Sequence, residues 1–191
     1  MNFLNTLYSS YDDEIKKFPT LMKIRSITDT YLICSDLFTD PTISDSYIVI
    51  NFALKILSIS KKLSEDNRIG KIKFYIKIGI NSGGPVICGV LGRIKPSFEI
   101  VGDVVNIASQ LNRYCLPGFI QISDSTYNNV KYLNYNLKER GEIYFNNVKI
   151  MTYLISDIPF SNADISLKKS DEETIHVDSS QIDDFQVKSV D

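Results

Sequence analysis

The chain has 191 residues, of which 43% are hydrophobic, enough for one folded domain with a buried core. This composition excludes a fully disordered or collagen-like protein. Its 21 basic and 23 acidic residues give a net charge of -2, so no overall basic field favours nucleic acid or anionic lipid. Three cysteines (Cys34, Cys88 and Cys115) are too few for a secreted disulfide framework and are typical of a reducing cytosol.

The composition changes near Pro159. Residues 160–191 carry eight acidic residues against three lysines, with few apolar positions. We therefore expect a folded domain at residues 1–158 and a disordered acidic tail at residues 159–191. No apolar run approaches the roughly 20 residues of a membrane span, and the first residues lack the pattern of a signal peptide. We expect a cytoplasmic chain that does not itself insert into a membrane.

The first half of the folded unit is predicted to combine two amphipathic helices with one hairpin. Apolar spacing of three and four residues predicts the helices, and short β-rich runs around a turn predict the hairpin, with Asp29 at its tip. These elements are a helix from Phe3 to Ile15 that Pro19 closes, strands over Met22–Ile27 and Tyr31–Phe38, and a helix over Tyr47–Leu63.

The second half is predicted to be richer in strands. A second hairpin is expected from strands Lys73–Asn81 and Val86–Leu91, joined through the Gly83-Gly84 turn. The remaining predicted elements are a strand at Phe98–Val101, a helix that starts after Gly102, a strand at Phe119–Ile122, a short helix at Ser123–Val130, and strands at Tyr135–Phe145 and Lys149–Ile155. Interleaved helices and antiparallel strands favour an α+β fold.

Two adjacent stretches carry a resemblance. The segment GINSGGPVICGVLG at 79–92, followed by PSFEIVGDVVNIAS at 96–109, resembles the catalytic domain of class III adenylate and guanylate cyclases. Weaker similarity extends over most of residues 1–155, and the doubled glycine is similar to receptor-type cyclases of protists. The resemblance implies a ferredoxin-like nucleotide cyclase fold, in which helices pack on an antiparallel sheet. The family's first strand precedes its opening helix, so we expect that strand to be missing here.

The resemblance also implies a reaction and an assembly. Two such domains pair head to tail, as a homodimer or a heterodimer, and the nucleotide lies between them. The ribose 3′ hydroxyl attacks the α-phosphorus and expels pyrophosphate, with two divalent ions, Mg²⁺ or Mn²⁺, stabilising the charge. Asp29 matches the second of the family's two metal-binding aspartates. The first lies on the missing strand, so we expect an incomplete two-ion site.

Lys23 and Glu99 match the family's base-reading positions. A lysine can donate to adenine N1 while a carboxylate accepts from the 6-amino group, and guanine presents the opposite polarity at both atoms. This pair predicts ATP as the substrate. In guanylate cyclases the first position is typically glutamate and the second cysteine or serine. Without the resemblance, both residues would be interpreted as ordinary charges on an edge strand.

Three further residues match positions that act on the ribose and the phosphates. Asn106 corresponds to the asparagine that orients the ribose, although a polar residue is also common on the first turn of a helix. Gln110 replaces the arginine that stabilises the pentavalent phosphate, and it has neither the charge nor the guanidinium fork. Lys149 is the one lysine in a position to replace the family's phosphate-binding lysine.

These matches predict a nucleotidyl cyclase domain that converts ATP to cyclic AMP and is weak or inactive as this chain alone. Two alternatives stay open at this point. One is a non-catalytic dimerisation or regulatory module with the same fold, which Gln110 favours. The other is a guanylate cyclase. Full-length relatives are often membrane-anchored, with this domain in the cytosol.

Overall fold

The computed structural model describes residues 2–35, 37–38, 43–66 and 73–160. Most of the predicted acidic tail, including His176, therefore lies outside the described residues. The helices are α1 (Asn2–Ile15), α2 (Ile43–Glu65), α3 (Asp103–Tyr114) and α4 (Asp124–Val130). The strands are β1 (Leu21–Ile27), β2 (Thr30–Ser35), β3 (Ile78–Ile80), β4 (Ile87–Leu91), β5 (Ser97–Val101), β6 (Ile120–Ser123), β7 (Asn136–Phe145) and β8 (Val148–Ser156).

The strands form three separate sheets. The largest has four strands in the order β3-β6-β8-β7, while β1-β2 and β4-β5 are two-stranded. Every pair is antiparallel except β3 with β6, which is parallel. This α+β arrangement agrees with the predicted fold class.

Helices cover both faces of the four-stranded sheet. On one face, Ile50 and Leu57 of α2 pack against Ile80, Ile122 and Ile155 of the sheet. On the other face, α3 buries Leu111 completely against Ile143, Phe145 and Ile150. Ile150 and Ile155 lie on the same strand an odd number of residues apart, as side chains that point to opposite faces must. Helix α1 extends the first layer by packing its Leu7 and Tyr11 against α2.

Most predicted elements are confirmed, including the first hairpin, but the second hairpin is wrong. Strands β3 and β4 do not pair with each other, because β3 bonds to β6 and β4 bonds to β5. The chain after β3 is held by hydrogen bonds to the start of α4: Ser82 Oγ lies 2.9 Å from Thr126 Oγ1, and Ser125 Oγ donates to the Ser82 carbonyl at 2.8 Å. These bonds direct the chain away from a tight turn.

One strand boundary also differs from the prediction. The strand predicted over Lys73–Asn81 is paired only at Ile78–Ile80. At the other end of the domain, Phe160 stacks on Phe119 with ring centroids 5.8 Å apart. Within the described part of the chain, no helix combines the length and the apolarity needed to cross a bilayer.

Candidate functional site

The structure pairs Glu99 with Arg25. The Arg25 guanidinium on β1 donates from Nη1 to Glu99 Oε2 on β5, and Ser97 Oγ donates to the other carboxylate oxygen at 3.2 Å. The Glu99 side chain is only 16% exposed, whereas that of Arg25 is 42% exposed. Each carboxylate oxygen has two lone pairs and a guanidinium has five N–H donors, so the pair keeps capacity for a ligand.

Lys23, which the resemblance predicts to contact a purine together with Glu99, makes its hydrogen bonds to Asp12. Lys23 Nζ lies 2.8 and 2.9 Å from the two carboxylate oxygens of Asp12 on α1. Tyr31 donates its hydroxyl to Asp12 Oδ1 at 2.7 Å, and its ring lies beneath the Lys23 ammonium, 4.9 Å from the centroid. Lys23 therefore joins the first hairpin to α1 instead of facing Glu99.

The same cluster shifts two pKa values in opposite directions. Burial disfavours the charged form of Asp12, but hydrogen bonds from Lys23 and Tyr31 outweigh it and hold its pKa below the ordinary value. Burial and the Asp12 carboxylate raise the pKa of Tyr31. The cluster is thus a carboxylate held ionised between an ammonium and a neutral phenol, which suits a structural contact.

Arg25 is the residue that sequence reasoning missed. Lys23 and Arg25 are two positions apart, and in a regular strand both would lie on one face. Here they lie on opposite faces, because Lys23 pairs with Ile33 and Arg25 pairs with the adjacent Leu32. The ladder between β1 and β2 shifts register between these two residues. A signal was present in the sequence, since two basic residues at this spacing are equal candidates for one acidic partner on the next sheet.

Asp29 lies at the tip of the first hairpin, as predicted. The turn is built on Thr28 with a positive φ of 53°, and Tyr8 donates its hydroxyl to the Thr28 carbonyl at 3.1 Å. Burial, followed by the nearby Asp29 charge, raises the pKa of Tyr8. The Asp29 side chain is exposed.

The donor set around Asp29 does not fit two metal ions. Among the described residues, no group of three or more histidine, cysteine, aspartate or glutamate side chains is close enough to hold a metal. A hard divalent ion takes six or more oxygen ligands and needs its charge balanced, which one exposed aspartate does not provide. Asp29 by itself therefore offers at most one ligand to such an ion.

Helix α3 starts where the chain passes very close to the segment after β3. A Cβ atom on Gly102 would lie 2.8 Å from the Pro85 carbonyl oxygen, so only glycine fits there. The Asn106 backbone N–H donates to the Gly102 carbonyl at 3.2 Å, in the first turn of the helix. The half-buried Asn106 side chain makes no hydrogen bond within the described residues, which leaves it able to bind a ligand.

Gln110 is enclosed. Its side chain is 7% exposed, and its Oε1 is buried without a hydrogen-bond partner in the described structure. Lys149, in contrast, lies on the surface at the start of β8. It pairs with Glu142 at 2.8 Å and lies over the Tyr144 ring, 5.5 Å from the centroid.

The structure brings one pair of candidate groups together and leaves the others apart. Arg25 and Glu99 share an ion pair, while no hydrogen bond or ion pair in the described structure joins Asp29, Asn106 and Lys149 to that pair or to one another. A cavity of about 920 Å³ is lined by Asp29 but by none of the other candidate residues. The structure therefore does not gather the candidate residues into one site.

The fold agrees with the comparisons to known proteins. The family model described as "Adenylate and Guanylate cyclase catalytic domain" matches residues 1–157. A receptor-type guanylate cyclase of Caenorhabditis elegans is 32% identical over 155 residues, which are 79% of this chain and 15% of the relative. The soluble guanylate cyclase subunit beta-2 of Rattus norvegicus is 30% identical over 143 residues, 75% of this chain and 20% of the relative.

Solved structures of cyclase domains also resemble this chain. The guanylate cyclase domain of a rhodopsin-guanylyl cyclase from Catenaria anguillulae, in complex with GTP, has a TM-score of 0.70 and 32% identity over 80% of this chain and 81% of that chain. The catalytic core of a rhodopsin-guanylyl cyclase with converted specificity, in complex with ATPαS, has the same TM-score and identity over 80% of both chains.

The chain therefore belongs to the adenylate and guanylate cyclase catalytic domain family. It spans between 6% and 22% of the length of the curated relatives that it matches. Those relatives are mostly named guanylate cyclases, and both GTP and an ATP analogue occupy solved members with equal likeness to this chain. Membership thus defines a nucleotide cyclase domain without fixing its purine.

Proposed function

We propose that this chain is the base-reading half of a nucleotidyl cyclase dimer and prefers ATP over GTP. The ion pair between Arg25 and Glu99 carries the proposal. It places a fixed donor group beside a fixed acceptor group on two neighbouring strands. Such a pair distinguishes adenine from guanine, since the two bases present opposite polarity at ring position 1 and at the 6-substituent.

In this proposal Arg25 takes the role that the sequence assigned to Lys23. The guanidinium donates to adenine N1 and Glu99 accepts from the 6-amino group. In the same pose, guanine would direct its N1–H at the guanidinium and its O6 at the carboxylate, and both contacts would be repulsive. Asn106, in the first turn of the helix that follows β5, orients the ribose, and Lys149 binds phosphate after leaving Glu142.

The reaction class is cyclisation, in which the ribose 3′ oxygen bonds to the α-phosphorus and pyrophosphate leaves. This chain by itself supplies one metal-site aspartate and no arginine at position 110. Loss of one group that stabilises transition-state charge typically costs on the order of hundredfold in rate. We therefore expect little or no activity from the chain alone.

An assay of cyclic AMP production with Mn²⁺ and ATP tests this function. The chain is assayed alone and mixed with an intact cyclase domain, and GTP is assayed in parallel. We expect little or no product from the chain alone and a measurable product from the mixture, with more cyclic AMP than cyclic GMP. Product from GTP at a higher rate in the mixture would contradict the proposed substrate.

A second candidate is a non-catalytic dimerisation module, and the enclosure of Gln110 favours it. A side chain that is 7% exposed is not directed at a substrate held between two domains. If the chain binds the intact domain while the mixture produces no cyclic nucleotide beyond that domain's own rate, the result favours the dimerisation module over the cyclase hypothesis. The exposed apolar residues of the β4-β5 ribbon, among them Ile87 and Val90, offer a surface for such pairing.

A further inference from the structure

Exposed basic side chains lie where α3 ends. Lys77 precedes β3, and its Nζ donates to the carbonyl oxygen of Arg113, in the last turn of α3, at 3.3 Å. Within the part of the chain that the structure describes, neither side chain forms an ion pair. A neutral carbonyl does not balance the charge of an ammonium, so both positive charges remain available to a negatively charged partner.

Lys138 of β7 lies on the face of the sheet that α3 covers. It pairs in register with Leu154 of β8. Leu154 in turn pairs with Gln121 of β6, and Gln121 pairs with Gly79 of β3. Residues that pair across a sheet point to the same face. Gly79 faces α3, since a Cβ there would lie 2.3 Å from the Ala108 carbonyl oxygen, so Lys138 faces α3 as well.

Arg140, two residues further along β7, acts on the same region. Burial raises the pKa of the Cys115 thiol, at the end of α3, to about 11, and the positive charges of Lys77 and Arg140 partly oppose this rise. Both cations must therefore lie near the end of α3. The basic residues that converge on this end of the domain form what we call the basic patch: Lys77, Arg113, Lys138 and Arg140.

Phe160 connects the basic patch to the rest of the chain. Its ring stacks on Phe119 with 10° between the ring planes, and the Lys138 ammonium lies over the same ring, 5.4 Å from the centroid. An ammonium over an aromatic face is attracted by the ring, which helps to hold Phe160 in place. Residues 161–191 are therefore attached to the domain beside the basic patch.

The charge of this attached segment is opposite to that of the patch. Residues 161–191 carry eight acidic residues and three lysines, whereas residues 1–160 carry 15 acidic and 18 basic residues. A single exposed ion pair is weak and is screened by salt. Attachment next to the patch, however, gives the segment an effective concentration in the millimolar range, at which several weak pairs suffice.

We propose that the basic patch binds the acidic segment 161–191 of the same chain through ion pairs between its four cations and the carboxylates of the segment. The patch lies at the end of α3 that is remote from Asn106, which is in the first turn of that helix. The contact would therefore leave Asn106 accessible, and it requires neither a nucleotide nor a metal ion. Its test is independent of the proposed cyclase function.

Cross-linking of the unmodified chain tests the contact. A carbodiimide joins an ammonium to a carboxylate that touches it, without a spacer, and mass spectrometry identifies the linked peptides. We expect links from Lys77 and Lys138 to segment 161–191 and none from Lys55, which is exposed on α2 at the opposite face of the sheet. A mixture of ¹⁵N-labelled and unlabelled chains should give links within one chain only. The links should be lost in 1 M NaCl, where screening acts within about 3 Å.

Matched charge reversals give a second measurement. The segment contains a trypsin site at Lys168 and Lys169, and a bound segment is cleaved more slowly because cleavage follows the unbound fraction. Lys77→Glu and Arg113→Glu should each speed cleavage at this site by about threefold or more, since each removes an ion pair and adds a repulsion. Lys55→Glu makes the same change of charge away from the patch and should leave the rate unchanged.

Three results would overturn the proposal. The first is the absence of links between the patch lysines and the segment at low salt. The second is a set of links that join labelled to unlabelled chains, which would place the segment on a second copy. The third is equal acceleration of cleavage by Lys55→Glu, which would indicate an effect of overall charge and not of the patch. Because the cross-linking uses the unmodified chain, its outcomes stand even if a variant fails to fold.

Discussion

Two buried glutamines differ in one hydrogen bond, and that difference predicts a measurable stability change. Gln110 is 7% exposed and Gln121 is 1% exposed, and the Oε1 of each lacks a partner. Only Gln121 uses its Nε2, which donates to Thr152 Oγ1 at 3.0 Å. A buried acceptor without a partner costs about 1–3 kcal/mol.

Methionine nearly matches glutamine in length and removes both polar atoms. Gln110→Met should therefore raise the free energy of unfolding by about 1 kcal/mol, a rise of about 2–4 °C in Tm for a domain of this size. Gln121→Met gains the same relief but loses the bond to Thr152, worth about 1 kcal/mol, so it should be nearly neutral.

Urea unfolding followed by far-ultraviolet circular dichroism measures both variants against the unmodified chain. The expected order of stability is Gln110→Met first, with Gln121→Met close to the unmodified chain. A Gln110→Met variant that is less stable than Gln121→Met would refute the reasoning, since it would mean that the Gln110 amide makes a stabilising contact. Higher stability with weaker binding to an intact cyclase domain would indicate that the amide is kept for an interface.

Three further predictions concern the packing of the domain. Gly79→Ala should lower the free energy of unfolding strongly, because its Cβ would lie 2.2 Å from the Asn112 backbone nitrogen. The Cβ of the control variant Gly89→Ala would meet nothing within 4 Å, so this variant should change the free energy of unfolding little. Leu111→Ala empties a fully buried position and should cost about 2–5 kcal/mol in urea unfolding. Because the pKa of Asp12 is lowered in the folded state, its contribution to stability is complete above the ordinary pKa of about 3.9 and is lost as pH falls through the folded-state pKa. Asp12→Asn should therefore make the free energy of unfolding depend less on pH in the acid range.

Each of these has a contradicting outcome. Equal unfolding midpoints for the two glycine variants would mean that α3 can move away from β3 without cost. A loss below about 1 kcal/mol for Leu111→Ala would mean that α3 is loosely packed. An unchanged pH profile for Asp12→Asn would mean that the bonds from Lys23 and Tyr31 do not persist in solution.

The sequence predicted individual elements better than their partners. Apolar periodicity located α1 and α2, and alternation located the hairpin of β1 and β2, because both signals are local. The pairing of β3 with β6 joins residues about forty positions apart, and no turn residue between them encodes it. The Gly83-Gly84 pair indicated a turn, which is why a hairpin with β4 was expected.

In the candidate site, too, the sequence predicted positions better than partners. Asp29 was predicted at the hairpin tip from turn chemistry alone, and the structure has it there. The partner of Glu99 depended on whether Lys23 or Arg25 faces β5. That choice is set by a register shift in β1 and by the competing Asp12 carboxylate on α1, and neither is visible in the strand's own sequence. The enclosure of Gln110 likewise depends on long-range packing.

The relative affinity for ATP and GTP of the unmodified chain, Arg25→Ala and Lys23→Ala tests the central claim most directly. The account predicts tighter binding of ATP, a loss of about tenfold to hundredfold in ATP affinity in Arg25→Ala, and an unchanged preference in Lys23→Ala. Tighter binding of GTP, or a preference that collapses in Lys23→Ala and survives in Arg25→Ala, would contradict it.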